Sequence, residues 1–208
     1  MRSVAIRGLY AITPDSVDTV NLLAMTELAL AGGATIVQYR NKIADTVLRQ
    51  EQADLLAQFC RKYQAALIIN DHVDLAIAVD ADGVHLGQDD GCIGDARKKL
   101  GDEKIIGVSC YNQMNLAIDV AQQGADYIAF GAFFASSTKP DAVAASTDLL
   151  CKAKQKLNVP IVTIGGITLT NASALIDLGS DAIAVSNALY GTQDIQSAAK
   201  AFSQLFCE

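Results

Sequence analysis

The 208-residue chain is 51% apolar and 19% charged, with a formal net charge of −7; this suits a packed globule with a sizeable core and argues against a disordered chain or a general nucleic-acid binder, which needs basic patches for phosphates. No apolar run approaches the ~20 residues of a membrane helix, and the first ten residues lack a secretory apolar segment. Five scattered cysteines without a C-x-x-C pair, and only two histidines, His72 and His85, argue against zinc and a disulfide framework and point to free thiols in a cytoplasmic protein.

In chain order, β-rich apolar runs fall at residues 8–13, 35–40, 66–71, 83–87, 105–110, 127–134, 160–166 and 182–189. Helical stretches lie between them. Leu22, Leu23, Met25, Thr26, Leu28, Ala29 and Leu30 have the density of one wide apolar face, and residues 47–63 repeat it with Leu48, Leu55, Leu56 and Phe59. Helix stops read as glycine before the next strand, in "AGGATI" at 31–36, "QGADYI" at 123–128 and "LGSDAI" at 178–183. This recurring Gly-x-Asp/Thr-Ile junction marks one structural unit used repeatedly.

Strands that are apolar throughout and joined by helices are parallel and buried on both faces. Eight of them predict a single (β/α)8 TIM barrel over residues 1–208, near the lower length limit of that fold. The runner-up is an open doubly wound sheet. Its dinucleotide-binding version is disfavoured because "GLYAIT" is not followed by G-x-G-x-x-G.

In a barrel, the polar residues that end each strand converge on one rim. They are Gln38, Arg40 and Lys42 after the second strand, Asn70 and Asp71 after the third, and Gln88, Asp89 and Asp90 after the fourth. Ser109 follows the fifth strand, Ser136, Ser137, Thr138 and Lys139 the sixth, Gly165 and Gly166 the seventh, Ser186 and Asn187 the eighth. Arg40 and Lys42 suit phosphate oxygens. The "IGGIT" glycines, with a helix starting near Thr170 and Asn171, let backbone NH groups approach a phosphate. Asp71 and Asp90, from adjacent strands, suit Mg2+, which takes one or two carboxylates and leaves the remaining positions to substrate phosphates and water. Each feature has a plainer reading: a strand-end Asp as a cap or turn former, "GG" as a tight turn, Arg40 and Lys42 as solvated charges, His72 as a first-turn helix residue, His85 as a core or rim histidine rather than a base. Their joint placement at successive strand ends favours a site.

These motifs resemble the thiamine-phosphate synthase family along essentially the whole chain. "QYRNK" at 38–42, "NDHVDLA" at 70–76, "GVHLGQDD" at 83–90, "GVSCYN" at 107–112 and "STK" at 137–139 occur in the family's order. The resemblance implies transfer of a hydroxymethylpyrimidine group from its diphosphate to thiazole phosphate, with Mg2+ and release of pyrophosphate. It implies Asp71 and Asp90 as metal ligands, Asp89 being less favoured, and Arg40, Ser109 and Lys139 as catalytic residues. Gln38, Arg40, Lys42, Asn70 and Lys139 would bind the diphosphate and pyrimidine, with Ser109 beside the reacting ring. Ser136, Thr138, Gly166, Ser186 and Asn187 would bind the thiazole phosphate, and Tyr39, Asn41 and Ser137 would also bind substrate.

The partners expected are these two small molecules, with no nucleic acid and no membrane; a homo-oligomer is compatible with the chain. Where the family has prolines in the loop after strand six, Ala132 and Ala135 stand, and Ser136 replaces its first threonine. Asn187 stands where a serine is usual, so the thiazole side departs most from the family pattern. The alternatives are a metal-free thiazole tautomerase-like isomerase, an aldolase using a Lys139 Schiff base, and a catalytically silent phosphate-binding paralogue.

Overall fold

A computed structural model of the chain describes residues 5–87, 90–135 and 143–207. Eight parallel strands close into a barrel in sequence order: β1 (Gly8–Ile12), β2 (Ile36–Tyr39), β3 (Ala66–Asn70), β4 (Gly83–Leu86), β5 (Ile105–Tyr111), β6 (Tyr127–Phe130), β7 (Ile161–Ile164) and β8 (Ala182–Val185). The helices between them are α1 (Thr19–Ala31), α2 (Thr46–Tyr63), α3 (Val73–Ala78), α4 (Ile93–Leu100), α5 (Met114–Gln122), α6 (Thr147–Lys156) and α7 (Ala172–Asp177). After β8 come α8 (Asn187–Tyr190) and α9 (Ile195–Gln204), and α9 packs on α1 to close the outer ring. No described helix is long and apolar enough to cross a membrane.

Strand alternation divides the apolar side chains between two layers. Leu9 and Ala11 of β1 and Leu67 and Ile69 of β3 face the helices. Tyr10, Ile12, Ile36, Ala66, Ile68, Tyr127 and Val162 fill the barrel. Tyr127 fits inside because Gly107 faces it; a Cβ at Gly107 would lie 1.9 Å from the Tyr127 ring.

The repeated junction has a mechanical role at the N-terminal ends of the strands. Asp82, Asp126 and Asp181, just before β4, β6 and β8, accept from the backbone NH of Leu67, Ile106 and Ile161 in the preceding strands, at 2.7, 2.7 and 2.8 Å. Thr35 occupies the same place before β2 and donates to Arg7 O at 2.6 Å. Gly33, Gly124 and Gly179 take positive φ as each preceding helix ends.

Three strands end two or more residues before their apolar runs do. β6 stops at Phe130, β7 at Ile164 and β8 at Val185. Beyond β8, Ser186 turns the chain into α8 and its carbonyl accepts from Leu189 and Tyr190. Hydrophobicity continues past these strand ends because the next segments also pack on the core.

Candidate active site

At the C-terminal rim, the β1 and β2 loops set the cations. The Thr13 hydroxyl accepts from Arg40 N at 2.9 Å and donates to Arg40 O at 3.1 Å, pinning the backbone where β2 ends. Asp15 accepts from the Arg40 guanidinium at 3.2 Å and from Lys42 N at 2.7 Å. One carboxylate therefore holds both the Arg40 guanidinium and the Lys42 backbone, while the Lys42 side chain remains exposed. Asn41 and Tyr39 of the same motif have their polar ends engaged in the scaffold. Both donate to Gln52 Oε1 of α2, at 2.9 and 2.8 Å, and Asn41 also donates to Ser16 O. Both still border a cavity of about 200 Å3 shared with Lys42, Asn70 and Asp71.

The β3 and β4 loops bring two carboxyl groups together. Asp71 sits at φ 64°, a left-handed conformation that Asp and Asn tolerate better than most residues, and its NH donates to His85 O at 2.9 Å. Partial burial, a hydrogen bond with Asp90 and the Asp90 charge push its carboxyl up to about 6, against the opposing pull of Lys42 and Arg40. Lys42 Nζ lies 3.8 Å from Asp71 Oδ2. Asp90 itself accepts from Gly87 N at 2.8 Å.

A half-buried carboxyl that resists ionisation beside a second carboxyl, with cations alongside, suits a hard divalent ion that neutralises both. No cluster of three His, Cys, Asp or Glu groups occurs among the described residues, and Mg2+ needs only one or two carboxylates when phosphate and water complete its shell. The donor set therefore fits Mg2+. Burial and the nearby Arg49 guanidinium hold His72 below the ordinary histidine range; it precedes α3 without forming a side-chain cap.

Inside the mouth, Gln38 Nε2 donates to Tyr10 Oη, Tyr10 Oη meets Tyr127 Oη, Tyr127 Oη meets His85 Nδ1, and His85 Nε2 meets Ser109 Oγ, each at 2.8 Å. Ser109 precedes a bulge in the β5–β6 pairing: Ser109 faces Ala129 and Tyr111 faces Phe130, so Cys110 is the extra residue. Bulges of this kind re-aim side chains at barrel rims.

On the opposite side, Gly166 takes φ 62°, and a Cβ there would lie 2.4 Å from Ala135 O, so the loop after β6 can rest directly on it. Asn171, just before α7, donates to Gly166 O at 3.1 Å and accepts from Thr168 N at 2.8 Å, which orders the "GGIT" turn. Ser186 and Asn187 open α8 at the end of β8. Ser136, Ser137, Thr138, Lys139, Gln88 and Asp89 lie outside the described residues.

Several participants carried no sequence signal. Thr13 and Asp15 act on a loop more than twenty residues away. Arg49 of α2 borders the cavity beside Asp71 and His72; it donates to Ala44 O at 2.6 Å, and its buried Nε has no hydrogen-bond partner among the described residues. It sits in the first turn of α2 after the Asp45 cap, a position that marks a helix start and not a site. Tyr10 and Tyr127 lie inside apolar runs, where an aromatic residue carries no sign of a polar role.

A family model described as thiamine monophosphate synthase matches residues 9–189. A thiamine-phosphate synthase of Nitrosospira multiformis is 58% identical over 97% of this chain and 86% of its own length. One of Nitrosomonas eutropha is 54% identical over 100% of this chain and 98% of its own. Among solved structures, a thiamine phosphate pyrophosphorylase from Pyrococcus furiosus superposes with a TM-score of 0.86 at 35% identity, covering 96% of this chain and 95% of that one. A 3-hexulose-6-phosphate synthase, at 18% identity and a TM-score of 0.69 over 95% of this chain and 99% of that one, shares the fold alone.

Proposed function

The chain belongs to the thiamine monophosphate synthase family, and from that premise we propose that it transfers the hydroxymethylpyrimidine group from its diphosphate to thiazole phosphate with Mg2+, in the cytoplasm. The observation that carries the metal-dependent reading is the Asp71–Asp90 pair, held together at the ends of adjacent strands with Lys42 and Arg40 alongside. A metal-free isomerase has no use for such a pair.

In this reading Asp71 and Asp90 would hold Mg2+, which would supply charge neutralisation for the pyrophosphate leaving group. Arg40, oriented by Asp15, Lys42, Asn70 and Lys139 bind the diphosphate oxygens. Gln38 and Ser109 orient the pyrimidine so that its methylene carbon faces the thiazole nitrogen. Ser136, Thr138, Gly166, Ser186 and Asn187 hold the thiazole phosphate on the opposite side. The C–O bond to pyrophosphate breaks and a C–N bond to the thiazole forms. Positive charge developing on the methylene is shared with the pyrimidine amino group, so no protein nucleophile is needed. Orientation of the two substrates and charge stabilisation in a fixed polar site supply most of the rate.

The test is formation of thiamine phosphate by purified protein from the two substrates, with Mg2+ and with excess chelator. Product only with metal is expected. Turnover unaffected by the chelator would remove the metal from the mechanism, and absence of product under both conditions would overturn the synthase reading.

A further inference from the structure

The chain of hydrogen bonds across the barrel has a direction. Gln38 Nε2 can only donate, and it donates to Tyr10 Oη at 2.8 Å. Tyr10 therefore places its own hydrogen on its other partner, Tyr127 Oη, also at 2.8 Å. Tyr127 has then accepted one hydrogen and must deliver its own to His85 Nδ1, again at 2.8 Å. An imidazole that accepts at Nδ1 carries its proton at Nε2, and that NH points at Ser109 Oγ, 2.8 Å away. Ser109 accepts, which leaves its hydroxyl hydrogen to be donated outward at the rim.

The components suit this task. Burial holds both phenols above the ordinary tyrosine range, so each remains a neutral donor. Tyr10, Tyr127, Gln38 and His85 are all less than 10% exposed, where a misdirected hydroxyl would leave a buried polar group unsatisfied. A doubly protonated His85 would force Tyr127 to accept from both neighbours and strand its own hydrogen. The Tyr127 and His85 rings stack with centroids 5.6 Å apart, and Tyr10 meets Tyr127 edge-on at 6.0 Å, which fixes the geometry of the relay. Gly107 provides the space that lets Tyr127 reach both partners.

We infer that Tyr127 is a positioning residue for the synthase reaction: through the tautomer of His85 it makes Ser109 a hydrogen-bond donor toward the pyrimidine ring. The inference rests on the functional reading above, in which Ser109 adjoins that ring. A pyrimidine ring nitrogen can only accept, so a donor there matches it, and a serine turned back to donate to His85 would not. The relay also couples both ends of the pyrimidine site, because the amide orientation of Gln38 and the hydroxyl direction of Ser109 are set by the same chain.

The experiment reads the His85 tautomer by 15N-resolved NMR of imidazole in substrate-free protein at neutral pH. With only two histidines in the chain, His72 and His85, a His72→Gln sample assigns the signals. Wild type should show His85 as the Nε2–H form. Tyr127→Phe should lose that single form, with kcat falling about tenfold or more and KM for the pyrimidine diphosphate moving less than about threefold. Tyr10→Phe should give a partial shift of tautomer and a smaller fall in kcat, since Tyr127 is then free to accept from His85; it carries the test if Tyr127→Phe does not fold. An Nδ1–H form or an imidazolium in wild type would overturn the direction. A variant that changes the tautomer without changing kcat, or kcat without the tautomer, would overturn the positioning role. Wild-type protein that makes no thiamine phosphate would sink the functional reading, while the tautomer spectrum would still decide whether the relay runs toward Ser109.

Discussion

Asp71 is a residue whose proposed role in holding the metal opposes its contribution to stability. Partial burial and the neighbouring Asp90 raise its carboxyl from the ordinary 3.8 to about 6 in the folded protein. A raised carboxyl means that the folded state binds the proton more tightly than the unfolded chain. Ionisation therefore penalises folding, with no penalty below about pH 4 and the full penalty above about pH 6. Allowing for its partial exposure, the cost is about 1–2 kcal/mol. Asp71→Asn keeps the left-handed backbone accessible, so metal-free variant at pH 8 should melt ~2–6 °C above wild type, with the gain disappearing by pH 4 in thermal scans. The same variant should lose most of its turnover. Asp90→Asn should weaken Mg2+-dependent turnover far more than it changes the melting midpoint; an unchanged Mg2+ dependence would remove Asp90 from the metal site. Both carboxylates could be picked out in the sequence because each ends an apolar run. Thr13, Asp15 and Arg49 could not, because their partners are set by loops that meet only in the folded barrel.

At the scale of elements, the Gly-x-Asp/Thr junction joins the helix stops before β2, β6 and β8 to clamps on the neighbouring strands. The Asp181 carboxylate accepts from the buried Ile161 NH and pairs with Lys154 at 2.7 Å. Asp181→Ala leaves that NH without its acceptor, and an unsatisfied buried donor costs about 1–3 kcal/mol. Chemical denaturation should show this loss for Asp181→Ala and a much smaller one for Asp102→Ala in an exposed loop, with kcat preserved in both. Periodicity located all eight strands but overran β6, β7 and β8. Apolar composition does not distinguish a strand end from the first turn of a helix such as α8, whose Leu189 and Tyr190 are buried too.

Across the whole molecule the two ends of the barrel divide the work. Asp82, Asp126 and Asp181 clamp the N-terminal end, while the cations, the carboxyl pair and Ser109 gather at the C-terminal end. Between them the interior is filled by side chains rather than left as a pore. Chelator should therefore abolish turnover and Mg2+ restore it, while circular dichroism is unchanged and the melting midpoint moves by no more than ~2 °C, because a weak ion at two rim carboxylates adds little by mass action. The sequence by itself determined the barrel and the chemical inventory of its rim, since strand period, helix stops and polar strand ends are local features of the chain. Only the tertiary structure decided that Asp15 orients Arg40, that Asp90 raises the cost of ionising Asp71, and that two core tyrosines link Gln38 to Ser109. Those relations depend on closure of the barrel, which brings residues as far apart as Tyr10 and Tyr127 within 2.8 Å and makes each hydrogen bond answer to the next.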